Sequence, residues 1–238
     1  MQPVTRSSNP PRTGGDWRRR LLRHHTPLAL ASAVALVLFM SLPLFALGGN
    51  RGTFIRQSTF ATGYVALALL ALTLLIGPAN LLLRRRTPIS TYLRRDIGTW
   101  TTIFSVVHVV LGFDVHGTGR LSDSLRYFVV DGRPLLNSFG LANWTGLAAL
   151  VIAVALLAMS TDGALRQLKA RTWKDLQRLN YTLFALVILH AIFYGALLQV
   201  TSPFTLFGLL TVIAVVTAQA AGIWLWRRRF SRPTGTLA

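Results

Sequence analysis

The sequence predicts an all-α integral membrane protein, a six-helix bundle with both its N and C termini cytoplasmic. Three observations carry this. Only 13% of the 238 residues are charged while 52% are hydrophobic, whereas soluble domains carry about 25% charged residues. The apolar residues fall into six long runs, roughly 28–47, 60–82, 98–113, 139–159, 180–198 and 204–226. The basic residues, finally, alternate in density between the segments that join those runs.

The elements follow in order. Residues 1–26 are rich in Arg, Pro, Ser and Gly and read as a disordered basic tail. Arg18, Arg19 and Arg20 ahead of an apolar run resemble a twin-arginine signal. The run that follows exceeds the 7–15 residues of a signal core, so a retained anchor helix is expected. Residues 27–229 form the six-span domain and 230–238 a second tail. A bilayer core of about 30 Å takes roughly 20 apolar residues in a helix, and five runs reach that length. The third is short and contains His108. Gly77-Pro78 is expected to end or kink the second span. The loop from about 114 to 138 is long enough to cover one mouth of the bundle. No internal repeat stands out, and no G-x-G-x-x-G follows a strand, so no nicotinamide-binding domain is expected.

Charge sets the orientation. The segment before the first run, the loops joining runs two to three and four to five, and the tail hold 20 Lys and Arg, against 5 in the other loops. The positive-inside rule puts the richer side in the cytoplasm. The net charge of +18 is therefore topological, and nucleic-acid binding, the usual implication of so basic a chain, is set aside. The chain has no Cys and no Glu. That removes disulfides, zinc thiolate sites, iron–sulfur clusters and thiolate-ligated haem.

Ionisable side chains within spans are costly and are functional hypotheses by default. Counted outward from about Asp96 and Leu176, His108 is 12 residues along the third span and His190 is 14 along the fifth. At 1.5 Å per residue both sit about 18–21 Å from the inner edge. Two neutral imidazoles at equal depth can ligate one metal between them, and iron in a porphyrin is the metal most often held so in bundles. Each could instead make an ordinary interhelical hydrogen bond, and spacing alone does not name a cofactor. His116 reads as a loop residue just past the third span, and His24 and His25 as interfacial. Trp100, Trp144, Trp173, Trp224 and Trp226 read as an aromatic belt, and Gln219 as a helix–helix hydrogen bond. Arginines at the inner edge, Arg94 and Arg95 among them, are suited to hold the phosphate of a flavin such as FMN.

Four stretches resemble a known family. They are Thr62-Gly63 with Leu72-Thr73 and Pro78; Leu93-Arg94-Arg95 with Gly98, Trp100 and His108; Met159-Ser160; and Trp173-Lys174-x-Leu176-x-Arg178-Leu179 with Tyr181 and Leu189-His190. The chain resembles the ferric-reductase-like transmembrane domains, and within them the haem-binding membrane subunits of bacterial periplasmic methionine-sulfoxide reductase systems. The resemblance implies a multi-pass protein of the bacterial inner membrane that carries a haem b, with His108 and His190 as axial ligands. It implies electrons arriving from quinol or a cytoplasmic flavin reductase and leaving to a periplasmic molybdenum-containing reductase. Where the family pattern has a second inner His this chain has Gln177, a poor iron ligand, so one haem is expected rather than two. Two alternatives stand beside this reading. One is a transmembrane ferric reductase acting on external metal; the other is a cofactor-free transporter or assembly protein using the histidines as a proton relay. The relay would call for acidic partners at membrane depth, and the sequence places none in the spans.

Overall fold

The computed structural model describes residues 21–41, 51–83, 91–116, 121–161, 163–164, 170–198 and 203–230. Six helices are long and apolar enough to cross a membrane. They are α1 (Thr26–Ser41), α2 (Arg51–Leu82), α3 (Thr91–His116), α4 (Ser138–Met159), α5 (Leu179–Phe193) and α6 (Pro203–Phe230). A π-turn at Leu21–His25 leads into α1, and a short helix at Ala170–Gln177 leads into α5.

Helix α2 is the axis of the bundle because it is apolar all round. One face, with Tyr64, Leu67, Leu70 and Leu74, packs on Ala149 and Ala153 of α4, Leu183 and Phe184 of α5, and Phe204 and Val215 of α6. The other face, with Val65, Leu69 and Ile76, meets Ile97 of α3, with Leu28 and Leu36 of α1 packed against it. Large apolar side chains also point outward, among them Val110 on α3, Val151 on α4 and Leu206, Leu210 and Ile213 on α6. Stripes of this extent would drive a soluble protein to aggregate; on a multi-pass membrane protein they are the lipid-facing surface.

Several expectations are corrected here. The third span is not short: it runs over Leu93–Val115, taking in Arg94, Arg95 and Asp96 at one end and Asp114 at the other. A helix satisfies its own backbone whatever its side chains, and polar groups near its ends reach back to the interface. His116 is the last residue of α3 and not a loop residue; its side chain lies outside the described residues. Of the end or kink expected at Gly77-Pro78, the end is not found, since α2 continues to Leu82 with Pro78 inside it. Pro78 packs against α6 at Gly222, where an added Cβ would stand 3.5 Å from the proline ring. The last residues of the segment expected to be a disordered tail, Leu21–His25, are helical. Residues 1–20 and 231–238 lie outside the described residues.

The described part of the loop between α3 and α4 packs on the ends of those helices through Tyr127, whose ring meets Phe113 and Phe139. A turn of helix (Leu121–Ser124) and a 3-10 turn (Leu125–Tyr127) precede a hairpin of β1 (Val129–Val130) and β2 (Arg133–Pro134). The strands pair antiparallel with Val130 opposite Arg133. Asp131 and Gly132 join them at φ +51° and +73°, the left-handed pair that a tight two-residue hairpin requires. Tyr127 is buried beneath, its hydroxyl donating to the Phe113 carbonyl at 3.1 Å. The bundle thus has a hairpin end and, opposite it, a basic end carrying Arg94, Arg95 and Arg178.

Candidate functional site

His108 and His190 face each other in the hairpin half of the bundle. Their ring centres are 6.0 Å apart and their planes 79° apart. His108 Nδ1 lies 2.7 Å from the Thr59 carbonyl on α2. His190 Nδ1 lies 2.8 Å from the Ala142 carbonyl on α4. A carbonyl oxygen can only accept, so each Nδ1 carries the proton and donates, and each Nε2 keeps its lone pair. The structure therefore brings together the two residues that the sequence singled out, in the tautomer a metal ligand needs.

Local structure fixes His190 further. Helix α5 stops just beyond it, where Gly195 takes φ +72°, a left-handed conformation that closes helices. Tyr194 lays its ring 5.0 Å from that of His190 and donates its hydroxyl to Asn143 Oδ1 at 2.7 Å.

A second site lies in the basic half. Arg94, Arg95, Gly98, Thr102, Gln177 and Asn180 line a cavity among α2, α3, α4 and α5. It gathers the three remaining residues the sequence put forward. Arg94 has no ion-pair partner among the described residues. Asn180 donates to the Gln177 carbonyl at 3.0 Å, which ties the junction between the short helix and α5 to the cavity wall. Gln177 stands 13 residues before His190, about 20 Å along the chain if helical throughout, so it belongs to this cavity and not to the histidine pair.

Other readings change. His24 and His25 are not merely interfacial: His24 Nδ1 lies 2.7 Å from Asp96 Oδ2 and His25 Nε2 3.5 Å from Asp96 Oδ1. Asp96 is 0% exposed, so one acid does lie within a span. The apolar run starting at Gly98 concealed it, because the helix begins seven residues earlier. Trp100, read as a belt residue, packs its ring on Phe104, and its Nε1 is buried without a hydrogen-bond partner among the described residues. Trp144, Trp224 and Trp226 are exposed, as expected; the Trp173 side chain lies outside the described residues. Gln219 makes the expected interhelical bond, donating to the Leu74 carbonyl at 2.8 Å. The hairpin was missed, although Asp131-Gly132 is a strong turn signal between short β-prone stretches.

Comparison with known proteins is consistent with this geometry. Residues 62–188 match the family described as ferric reductase like transmembrane component. A protein-methionine-sulfoxide reductase heme-binding subunit MsrQ of Bordetella pertussis is 32% identical over 196 residues, 78% of this chain and 84% of its own. Subunits of the same name from Ralstonia nicotianae and Herminiimonas arsenicoxydans are each 29% identical, over 76% and 82% of this chain and 75% and 84% of theirs. The matched region holds α3 and α4 whole, α2 from Thr62 onward and α5 up to Ile188, so it takes in His108 and the arginine-lined cavity and stops two residues before His190, and the chain belongs to the family of ferric-reductase-like transmembrane components.

Proposed function

We propose that this chain is a membrane electron-transfer subunit that binds one haem b between His108 and His190. It takes electrons at its basic, cytoplasmic end and delivers them across the bacterial inner membrane to a periplasmic molybdenum-containing protein-methionine-sulfoxide reductase. The observation that carries the reading is the facing imidazole pair. A metal–imidazole bond of about 2.0 Å on each side, with about 1.1 Å from nitrogen to ring centre, sets the centres about 6 Å apart. The observed 6.0 Å agrees, and both Nε2 lone pairs are available. The family matched and the relatives' names support the haem and the methionine-sulfoxide pathway.

When bound, haem supplies a one-electron iron couple; the chain's residues do the rest. His108 and His190 hold the iron, and the Thr59 and Ala142 carbonyls orient the two rings. Tyr194, tied to Asn143, closes the hairpin side of His190. The loop carrying Tyr127 keeps water from that mouth. At the other end, the cavity of Arg94, Arg95 and Gln177 receives the donor, a quinol or a flavin such as FMN served by a cytoplasmic flavin reductase. Arg94, a cation without an acidic partner among the described residues, fits an anionic group there. The proton-relay alternative is disfavoured. Asp96, the only fully buried acid among the described residues, lies 12 residues before His108, about 18 Å along α3.

The test is the absorption spectrum and haem-to-protein ratio of the purified chain. A Soret band and a ratio near one are expected. His108→Ala and His190→Ala should each lose most of the haem yet still insert, because each removes a polar group from the hydrocarbon. A full complement of haem with an unshifted spectrum in either variant would overturn the assignment.

A further inference from the structure

The two histidine seats are copies of one another. In α2, the Thr62 hydroxyl donates to the Ser58 carbonyl at 2.7 Å and the Thr59 carbonyl at 3.0 Å. In α4, the Thr145 hydroxyl donates to the Leu141 carbonyl at 2.8 Å and the Ala142 carbonyl at 2.9 Å. The residue after each threonine is glycine, Gly63 and Gly146. The Thr59 and Ala142 carbonyls, four residues before these glycines, are the ones that accept from His108 and His190. Each imidazole also lies in the space a side chain would need. A Cβ built on Gly63 would stand 2.9 Å from His108 Nδ1 and 3.0 Å from Cε1. One built on Gly146 would stand 2.7 Å from His190 Nδ1 and 2.9 Å from Cε1. Real Cβ atoms do not approach so closely.

We propose that Thr62-Gly63 and Thr145-Gly146 are a duplicated positioning device that seats the two imidazoles, fixes their tautomer and near-perpendicular planes, and sets the potential of the iron between them. This rests on the haem reading given above. Each part has a separate physical task. Glycine opens the flank of the helix so that the ring can reach a carbonyl already used by the helix, whose second lone pair it shares with the threonine hydroxyl. The bond from Nδ1–H to that carbonyl makes the ligand more electron-rich and favours ferric iron. The threonine hydroxyl competes for the same carbonyl and so moderates that bond. No other described glycine lies against a histidine.

The device predicts opposite signs for its two residues. Gly63→Ala or Gly146→Ala pushes the ring from its carbonyl. The variant should keep haem but shift the ferric–ferrous equilibrium about tenfold toward ferrous, a rise of about 59 mV for one electron. The highly anisotropic low-spin EPR signal expected of perpendicular imidazoles should change with it. Thr62→Val and Thr145→Val keep the side-chain shape, release the carbonyl and should lower the potential. Gly77→Ala is the control, on the same helix as Gly63 with nothing within 4 Å of the added Cβ. The experiment is a potentiometric titration with EPR on purified unaltered chain and these variants. Opposite shifts for the glycine and threonine variants, with Gly77→Ala unmoved, bear the proposal out. Haem at full ratio with potential and EPR unmoved in the glycine variants overturns it while leaving the haem reading intact. If the glycine variants do not accumulate, unmoved potentials in both threonine variants overturn it instead. An unaltered chain without a Soret band overturns both readings.

Discussion

At the scale of single residues, the histidine pair was legible in the sequence because a titratable group at membrane depth has so few benign explanations. What was not legible is how those histidines are seated. The carbonyls of Thr59 and Ala142 have no signature in sequence, since every residue has one; only the fold shows which are within reach of an imidazole. Gly63 was noticed as part of a resemblance and Gly146 not at all, although both follow a threonine and both lie against a histidine. At the basic end, charge draws attention to Arg94 and Arg95 and the resemblance to Gln177, and only the fold shows that all three line one cavity. If an anionic donor binds there, Arg94→Gln should weaken it by about 10- to 100-fold, as the loss of a charge-assisted hydrogen bond of roughly 1.5–3 kcal/mol requires. Haem content should be unaffected, because Arg94 is 14 residues from His108, about 21 Å along α3. The check is the rate of haem reduction against concentration of a soluble quinol analogue, and separately of reduced flavin. Unchanged concentration dependence with both donors would remove the cavity from the electron path.

At the scale of elements, five spans were readable from run length alone, and the third was misjudged. The error has a physical origin: hydropathy ends a span at the first charges, whereas a helix ends where its backbone bonds do. Helix α3 carries Arg94, Arg95 and Asp96 inside its first turns, and the neighbouring elements accommodate them. The clearest case is Asp96, buried against His24 and His25 at the start of α1. This contact pins the first helix to the third, beside the apolar packing of Leu28 and Leu36 on the same cluster. His24→Ala should therefore destabilise the protein by roughly 1–3 kcal/mol, the range for stranding a buried hydrogen-bonding group. Combined with Asp96→Ala, the two losses should fail to add by more than about 0.5 kcal/mol. Thermal unfolding of the two single variants and the double variant in detergent measures this. Additive losses within about 0.3 kcal/mol would show that the two side chains do not support each other.

At the scale of the whole molecule, both candidate sites lie along one axis of the bundle, and their order on that axis gives a direction. The arginine-lined cavity is at the basic end of α3 and α5, the histidine pair is in the half nearer the hairpin, and the same two helices carry both. A donor entering at one end and an acceptor leaving at the other therefore use the bundle along its length, provided the basic end faces the cytoplasm. The sequence predicts that orientation from 20 basic residues against 5, a bias that acts during insertion. Several of these cations have a settled place in the fold. The Arg228 guanidinium lies 3.9 Å over the Trp224 ring near the end of α6, an arrangement suited to a membrane–water boundary. An even number of spans puts both tails on one side, so a single fusion decides the matter. A reporter enzyme active only in the periplasm, joined after Thr234, should be silent, and the same reporter placed in the hairpin loop after Asp131 should be active. The loop fusion also checks that silence at the tail is not failure to express. Strong activity at Thr234 with none at Asp131 would reverse the molecule, moving the histidine pair to the cytoplasmic half and the arginine cavity to the periplasmic mouth. Electrons would then have to enter through the hairpin end, and the proposed direction of transfer would fail with the orientation.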